Sequence, residues 1–411
     1  MVTLSIAMEP AMIAGDVNLV HNHVCARVSA LDMEMIRAIP PGGNWRDIPL
    51  STVNKSARLK QIRQSGGRTT YYGRLRDDLP SYTISTYFNR PGNGTFIHPT
   101  QNRLISQREA ARLQSFSDSY RFVGSVSSIF KQVGNAVPPL LACSVGALFK
   151  PGKSVDLFAG AGGLSEGLRL SGHNVLAAAE INPNMCATYS LNHPDSEVMQ
   201  VDIANDQGCE KLTSCLENAL SGKTLHLLAA GPPCQGFSTA GKWTHLDPRN
   251  ALIFETLKLV ERFQPENVLF ENVPGIVSML SGSVLQRVLD KLASLEYKSE
   301  WFALRAEQYC VPQRRRRIFI VASRNGVEPK RPEALLSCVS QAGASGPDQS
   351  ADALPSPVTV GEAISDLPPI PSGVGAGVCR YDSDRTSFDY QRMMRGLLSL
   401  EEFLRYRHKQ D

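Results

Sequence analysis

One cysteine of this chain stands on a turn and is suited to covalent chemistry. Cys234 lies in the segment Pro-Pro-Cys-Gln-Gly-Phe-Ser (232–238), directly after the apolar run 227–230. Proline and glycine around it favour a turn at the end of a strand. A thiolate there could add to an electron-poor ring carbon, if one neighbour favours the thiolate and another polarises the ring. A buried, unreactive cysteine is the alternative for Cys234 taken alone.

A glutamate and a run of arginines also lie next to short apolar segments that could form strands. Glu271 comes after three apolar residues, and Gln-Arg-Arg-Arg-Arg (313–317) precedes four more. Because side chains alternate along a strand, we expect Gln313, Arg315 and Arg317 to share one face. Taken separately, such a glutamate is a solvated loop residue and such a run is a solvated or phosphate-facing surface. Cysteine, glutamate and alternating arginines together are a more specific combination.

The elements that must position these residues form an α/β pattern. From Ser154 onward, short apolar segments alternate with helical ones, which predicts a doubly wound, mostly parallel sheet. The predicted strands are residues 155–158, 174–179, 198–203, 225–230, 267–270, 301–305 and 318–321. Ligands bind such sheets beyond the carboxyl ends of the strands, where the polar residues collect.

A glycine-rich turn follows the first predicted strand. Gly160, Gly162 and Gly163 let the backbone approach a ligand, and Glu180 can accept hydrogen bonds from ribose hydroxyls. The third glycine of the dinucleotide fingerprint is replaced by Ser165. This departure favours an adenosine-containing ligand without a pyrophosphate over NAD. A purely structural tight turn is the alternative.

Composition excludes several classes of protein. The 411 residues can hold two domains, and the nine scattered cysteines indicate neither a disulfide framework nor a zinc site. We therefore expect no metal and a reducing, cytoplasmic environment. Neither a secretory signal nor a membrane-spanning segment is predicted.

A basic segment lies in the N-terminal quarter of the chain. No acidic residue occurs between Asp47 and Asp77, whereas tyrosines 71 and 72 stand among lysines and arginines. Basic residues interleaved with aromatic ones suit a phosphate backbone, and a solvated basic loop is the alternative. The basic residues are Lys55, Arg58, Lys60, Arg63, Arg68, Arg74 and Arg76.

With these motifs the chain resembles the DNA cytosine-5 methyltransferases. Residues 156–163 look like the family's S-adenosylmethionine loop, 232–235 its nucleophile motif, 271–273 its acid motif and 313–317 its Q-x-R-x-R. Residues 108–114 and 134–139 are similar to its last two motifs. The resemblance implies a Rossmann-like methyltransferase fold, with a smaller, loop-rich target-recognition domain.

The last two motifs precede the first one here, which favours a circular permutation. The expected domains are residues 1–100, part of the target-recognition domain; 101–150, the last two motifs packing on the catalytic domain; 151–324, the catalytic and cofactor-binding domain; and 325–411, a linker and the rest of the recognition domain. Truncation followed by fusion of unrelated pieces is the alternative.

The resemblance also implies roles for individual residues. Cys234 would attack C6 of a flipped-out cytosine, Glu271 would hold its N3 edge, and Arg315 and Arg317 would anchor O2. The cofactor-binding residues implied are Phe158, Gly160, Gly162, Gly163, Glu180, Asp202, Leu252 and Asn135. The DNA-binding residues expected are Gln235, Ser238, Gln313, Lys55, Arg58, Arg63 and Arg68.

The implied function is sequence-specific methylation of duplex DNA by a monomer, with S-adenosyl-L-methionine as the cofactor. The enzyme would be the modification half of a restriction-modification system, paired with a restriction endonuclease without a stable complex. An RNA cytosine methyltransferase and a catalytically silent DNA-binding homologue are the alternatives.

Overall fold

The computed structural model describes residues 18–233, 252–324, 326, 328–339 and 354–410. In these ranges the strands are β1 (Leu19–Val24), β2 (Gly73–Arg74), β3 (Thr95–Ile97), β4 (Lys153–Leu157), β5 (Asn174–Glu180), β6 (Glu197–Gln200), β7 (Leu227–Ala230), β8 (Asn267–Asn272), β9 (Lys298–Arg305), β10 (Arg316–Ser323) and β11 (Gly375–Arg380).

The helices are α1 (Ala30–Ala38), α2 (Leu50–Val53), α3 (Ala57–Ser65), α4 (Gln107–Leu113), α5 (Val126–Asn135), α6 (Pro139–Gly146), α7 (Gly163–Leu170), α8 (Pro183–Asn192), α9 (Asp206–Leu220), α10 (Leu252–Phe263), α11 (Ser283–Ser294), α12 (Val360–Ile364), α13 (Asp389–Met394) and α14 (Leu400–Gln410). No helix within the described ranges has the length and apolar character needed to cross a bilayer.

The described residues divide into two compact units. The sheet unit contains Val137–Ala306 and Arg316–Ala334. The terminal unit takes its described residues from Pro10–Ala136, Glu307–Arg315 and Leu335–Asp411, so it combines segments near both ends of the chain. The segment 101–150, expected as one piece, is divided between the units after Ala136.

Seven of the described strands form the central sheet, in the order β6-β5-β4-β7-β8-β10-β9. Strand β4 is parallel to β5 and β7, the pairs β5–β6 and β7–β8 are also parallel, and β10 is antiparallel to β8 and β9. The chain builds outward from β4 on one side and then on the other, which puts the crossover connections on opposite faces. The predicted doubly wound α/β fold is confirmed.

The core of the sheet unit follows from apolar strands and amphipathic helices. All four residues of β7 are buried, as is typical of a strand covered on both faces. Helix α10 buries Leu257 and Val260, and α11 buries Val288 and Leu292, at the spacing of one helix face. Each such side chain contributes roughly 1.5–3 kcal/mol by leaving water. The strand ends are therefore held on a firmly packed base.

Helix α6 packs closely on α7, the helix that follows the glycine-rich turn. A Cβ atom at Gly167 would lie 2.3 Å from the Cβ of Ala142, so only glycine fits there. The short segment 147–152 then joins α6 to β4. The predicted last motif thus continues directly into the first strand of the sheet.

Some predicted boundaries differ from the observed ones. Strand β8 continues to Asn272, so Glu271 lies within the strand. Strand β6 ends at Gln200, which leaves Asp202 in the following turn. In the expected linker, Val360–Ile364 forms a helix begun by a Thr359 capping box.

The terminal unit joins its two chain segments by strand pairing. Strand β1 is antiparallel to β11, with Leu19 opposite Arg380 and Val24 opposite Gly375. The His23 ring reinforces the junction, because Nδ1 lies 2.9 Å from Ser106 Oγ and Nε2 lies 2.7 Å from the carbonyl oxygen of Pro368. Residues more than 300 positions apart therefore share one structural layer.

Buried charges on α4 connect the rest of the terminal unit. The Arg112 guanidinium lies 2.6 Å from Asp118 Oδ2 and 2.5 Å from Asp366 Oδ1, and Arg395 lies 3.0 Å from the same Asp118 oxygen. The Arg112 and Asp366 side chains are inaccessible to solvent. Buried ions without partners are strongly destabilising, so each charge depends on the others.

Asp366→Asn should destabilise the protein by about 3 kcal/mol, because it leaves the buried Arg112 charge with one carboxylate instead of two. Urea unfolding measures this change. The control is Glu401→Gln, which removes the partner of Arg405 from an ion pair that is more than half exposed on α14. That change should cost less than about 0.5 kcal/mol. Equal losses for the two variants would contradict the prediction.

Candidate active site

The carboxyl ends of the parallel strands bring several predicted residues to one edge of the sheet. Strands β4 and β7 are neighbours although they are not consecutive, so the topological switch point lies between them. The glycine-rich turn follows β4, and the segment 231–233 follows β7. A crevice at this point is where doubly wound proteins bind ligands.

Glu271 and Arg317 form an ion pair beside the switch point. Arg317 Nε lies 2.8 Å from Glu271 Oε1, and each side chain is 13% exposed. Strands β8 and β10 are antiparallel, with Glu271 opposite Phe319, which brings the two side chains together. The guanidinium also donates from Nη1 to the carbonyl oxygen of Arg316 at 2.8 Å. A carboxylate held in this way presents a fixed hydrogen-bonding edge to a ligand.

The chain after β7 passes close to Glu271. Gly231 donates its backbone N–H to the carbonyl oxygen of Leu157 at 3.0 Å. A Cβ built on Gly231 would lie 3.7 Å from Glu271 Oε2. The segment that leads into the predicted nucleophile motif therefore lies beside the predicted acid.

The glycine-rich turn contains three residues with left-handed backbone. Phe158 has φ +60°, Gly160 +57° and Gly162 +92°. This conformation is costly for an aromatic residue and is concentrated at functional sites. A Cβ at Gly160 would meet no heavy atom within 4 Å. Glycine is therefore favoured at position 160 by its positive φ and not by lack of space, and the space beside the turn is open.

Glu180 ties the glycine-rich turn to the end of β5. Its Oε2 accepts the Gly160 N–H at 2.9 Å, and its Oε1 accepts the Asn182 N–H at 2.8 Å. A carboxylate has about four lone-pair positions, so further acceptor capacity is available for hydroxyl donors.

The other predicted cofactor-binding residues have varied environments. Asp202 is half-buried and accepts the Ala204 N–H at 2.9 Å. Leu252 is buried in the first turn of α10. Asn135 is exposed at the end of α5 and belongs to the terminal unit. Gly163 begins α7.

A buried chain of hydrogen bonds supports the turn and was not predicted. Ser165 Oγ donates to Asp156 Oδ2 at 2.6 Å, and the Tyr189 hydroxyl donates to Ser165 Oγ at 2.8 Å. Burial, together with the charges of Glu180 and Glu271, raises the pKa of the Asp156 carboxyl to about 7, although the hydrogen bonds from Ser165 act in the opposite direction. Ser165, at the third fingerprint position, was the sequence feature that could have indicated this chain of hydrogen bonds. Its hydrogen bond to Asp156 anchors α7 to β4.

Gln313 and Arg315 lie in the terminal unit, although they belong to the same run as Arg317. Gln313 is fully buried; its Oε1 accepts the Ile84 N–H at 2.9 Å, and its amide donates to the Leu113 carbonyl oxygen at 3.1 Å. The predicted alternation is visible in burial, since Arg314 and Arg316 are more exposed than their neighbours. Gln313 therefore contacts its own protein where a DNA contact was expected.

The Arg315 guanidinium also binds main-chain oxygens. It donates to the carbonyls of Ile84 at 3.1 Å, Gly134 at 3.0 Å and Ala136 at 3.2 Å. Its side chain is 1% exposed. These contacts differ from those expected of a residue that anchors a base, and they join three segments of the terminal unit.

The predicted basic surface is only partly available to a ligand. Lys55, Arg58, Arg63 and Arg68 are exposed, although Lys55 pairs with Glu34 at 2.8 Å. Two other members of the basic segment have internal roles. Arg74 is buried against backbone oxygens, among them those of Ile39 and Ile36, and Arg76 pairs with Asp78. The exposed arginines of the segment remain candidates for DNA contacts.

Cys234, Gln235 and Ser238 lie outside the described residues. The same is true of the predicted loop 236–247. Their roles stay predictions.

Asp156→Asn should remove a pH dependence of stability. With a native pKa of about 7, Asp156 keeps its proton in the native state while the unfolded chain loses it near pH 4. The stabilisation is thus complete below about pH 4 and is lost as the pH rises to about 7. Relative to Asp156→Asn, the free energy of unfolding of the wild type should fall by roughly 1.4 kcal/mol per pH unit in this window.

The free energy of unfolding from urea titrations, measured at several pH values, checks this expectation. Asp195→Asn is the matched control, because Asp195 is exposed. The prediction is wrong if the curves of the wild type and Asp156→Asn run parallel between about pH 4 and pH 7.

The chain matches a known protein family over most of its length. The family model described as C-5 cytosine-specific DNA methylase matches residues 25–150 and 152–391. Type II methyltransferase M.AgeI of Thalassovita gelatinovora is 35% identical over 254 residues, which are 59% of this chain and 58% of that protein. The chain therefore spans little more than half of that relative.

Two further relatives differ in how much of them is covered. Type II methyltransferase M.AquIA of Picosynechococcus sp. is 35% identical over 244 residues, 57% of this chain and 96% of that protein. DNA (cytosine-5)-methyltransferase PliMCI of Paracentrotus lividus is 33% identical over 266 residues, 59% of this chain and 16% of that protein. With its Rossmann-like methyltransferase fold, the chain belongs to the C-5 cytosine-specific DNA methylase family.

Proposed function

We propose that the chain transfers a methyl group from S-adenosyl-L-methionine to C5 of a cytosine in a specific sequence of duplex DNA. The observation that carries this proposal is the Glu271–Arg317 ion pair, which lies beside Gly231 at the switch point of the sheet. A fixed carboxyl group that shares a proton with N3, beside a guanidinium that can donate to O2, matches this edge of cytosine. Membership of the C-5 cytosine-specific DNA methylase family supports the same reaction.

The residues after β4 and β5 suit an adenosine-bearing methyl donor. The open space beside Gly160 and the remaining acceptor capacity of Glu180 fit a ribose close to the backbone. Phe158, Asp202, Leu252 and Asn135 complete the proposed binding residues. When bound, S-adenosylmethionine supplies an activated methyl group.

The proposed mechanism begins with Cys234. Its thiolate adds to C6 of a cytosine turned out of the duplex, which makes C5 nucleophilic. Glu271 shares a proton with N3, which holds the base and draws electron density toward N3, while Arg317 keeps Glu271 oriented and stabilises the charge that develops on the ring. After C5 is methylated, its proton leaves to a base, the C5–C6 double bond re-forms and Cys234 is released as thiolate.

The proposal includes a circular permutation of the family's motif order. The two family matches adjoin at residue 151, where α6 leads into β4. The pairing of β1 with β11 supports a recognition domain assembled from both ends of the chain. The Type II methyltransferase names of the bacterial relatives support a modification enzyme. We further propose that it acts as a monomer in the cytoplasm, functionally paired with a restriction endonuclease.

The purified protein should label duplex DNA and not tRNA when it is incubated with labelled S-adenosylmethionine. Mass analysis of the nucleosides should identify 5-methyl-deoxycytidine, and Cys234→Ala should abolish it because the C6 adduct cannot form. Label in tRNA, or unchanged labelling by Cys234→Ala, would contradict the proposal.

Arg317→Lys should lower kcat for DNA methylation by about 100-fold, because lysine keeps the charge but loses the planar donor that fixes Glu271. The affinity for S-adenosylmethionine should change little. Arg316→Lys makes the same substitution at the exposed neighbouring position and should retain activity. Steady-state kinetics measures both, and equal activity of the two variants would exclude the proposed role of Arg317.

A further inference from the structure

An open cavity of about 770 Å³ lies in the terminal unit, within residues 26–130. Arg27, Arg58 and Arg90 line it, together with Asp32. We call it the arginine cavity. Its volume falls in the range of ligand-binding clefts.

The charge of the arginine cavity is positive. Its lining contains three arginines and one aspartate, a formal charge of +2. Arg58 is held in place by a hydrogen bond from Nη2 to the carbonyl oxygen of Gly92 at 2.8 Å. Within the described part of the chain, no carboxylate lies within ion-pair distance of any of the three guanidinium groups. The arginines are therefore available to an external anion.

Two helix starts add to this positive potential. Helix α3 begins after Ser56 and α5 begins after Ser125, and both of these serines line the cavity. Neither helix has an acidic residue in its first turn, so the positive end of each dipole is not balanced by its own sequence. Helix α1 also starts at the cavity, but its first turn carries Asp32. Anions bind at helix starts of this kind.

We propose that the arginine cavity binds the sugar-phosphate backbone of duplex DNA. It exceeds the space that one inorganic phosphate requires. Arg58 belongs to α3, which also carries the exposed basic residues Lys60 and Arg63, in a stretch of chain without acids. This inference rests on the proposed function and adds Arg27, Arg90 and the start of α5 to its DNA-contacting surface.

Phosphate contacts predict a particular dependence of binding on salt. Each phosphate that the protein neutralises releases counterions, so the slope of log Kd against log salt concentration changes by about 0.9 per contact. Base contacts change the slope little. The salt slope therefore distinguishes a backbone site from a general loss of affinity.

The main test compares the double variant Arg27→Gln/Arg90→Gln with the wild type. Its Kd for a fluorescein-labelled duplex, measured by anisotropy over a range of salt concentrations, should rise roughly tenfold at low salt, and the slope should fall by about 1.8, because two phosphate contacts are lost. Arg405→Gln is the control, because it removes an exposed arginine of the same unit on α14, outside the cavity. Its Kd and slope should match those of the wild type.

A second variant separates binding from folding. Ser127→Glu places a negative charge in the first turn of α5, at the edge of the cavity. A carboxylate there stabilises the helix, so Tm should not fall, yet it should repel a phosphate and weaken DNA binding. Unchanged Kd and salt slope in this variant and in the double variant would overturn the proposal. Loss of DNA binding that is equal in Arg405→Gln would do the same.

Failure of this inference is distinct from failure of the proposed function. If the wild type forms 5-methyl-deoxycytidine and the cavity variants keep its DNA affinity, only the arginine cavity is wrongly assigned. If the wild type forms none in any DNA, the proposed reaction itself fails.

Discussion

The buried charge of Arg112 is the interaction on which the terminal unit depends. It lies between Asp118, six residues away, and Asp366, 254 residues away, with no contact with solvent. An ion moved from water into the interior costs several kcal/mol unless partners surround it. The N-terminal and C-terminal segments must therefore both be in place before this charge is tolerated. The strands β1 and β11 add a backbone junction to the same pairing of distant segments.

The sheet unit depends on apolar packing rather than on buried charges. Its core is mainly apolar, and Glu180 and Glu271 stand at strand ends, where each has a partner of its own. A closely packed base keeps these groups at fixed positions, which is a requirement for preorganised electrostatics. The Asp156 carboxyl is buried next to the glycine-rich turn, where Ser165 donates a hydrogen bond to it. The turn is thus supported by hydrogen bonds and remains open beside Gly160.

Much of the sheet unit could be predicted from the sequence, because burial periodicity and turn residues act over short distances. The strands, the glycine-rich turn and the position of Glu271 near a strand end all followed from local patterns. The ends of individual strands differ from the predicted ones by a few residues, as near Asp202, because backbone pairing with the neighbouring strand decides where a strand ends. The basic segment predicted DNA-binding residues less well. Its composition is visible in the sequence, but only the fold shows that Arg74 is buried and Arg63 is exposed.

The sequence by itself determined which residues are available for chemistry and the order in which they meet the sheet. Only the tertiary structure decided what each of them contacts. Arg315 and Arg317 are two positions apart in one run, yet Arg315 donates to carbonyls of residues 84, 134 and 136, whereas Arg317 pairs with Glu271. The physical reason is that a guanidinium binds whichever acceptors surround it, and those acceptors come from segments far away in the chain.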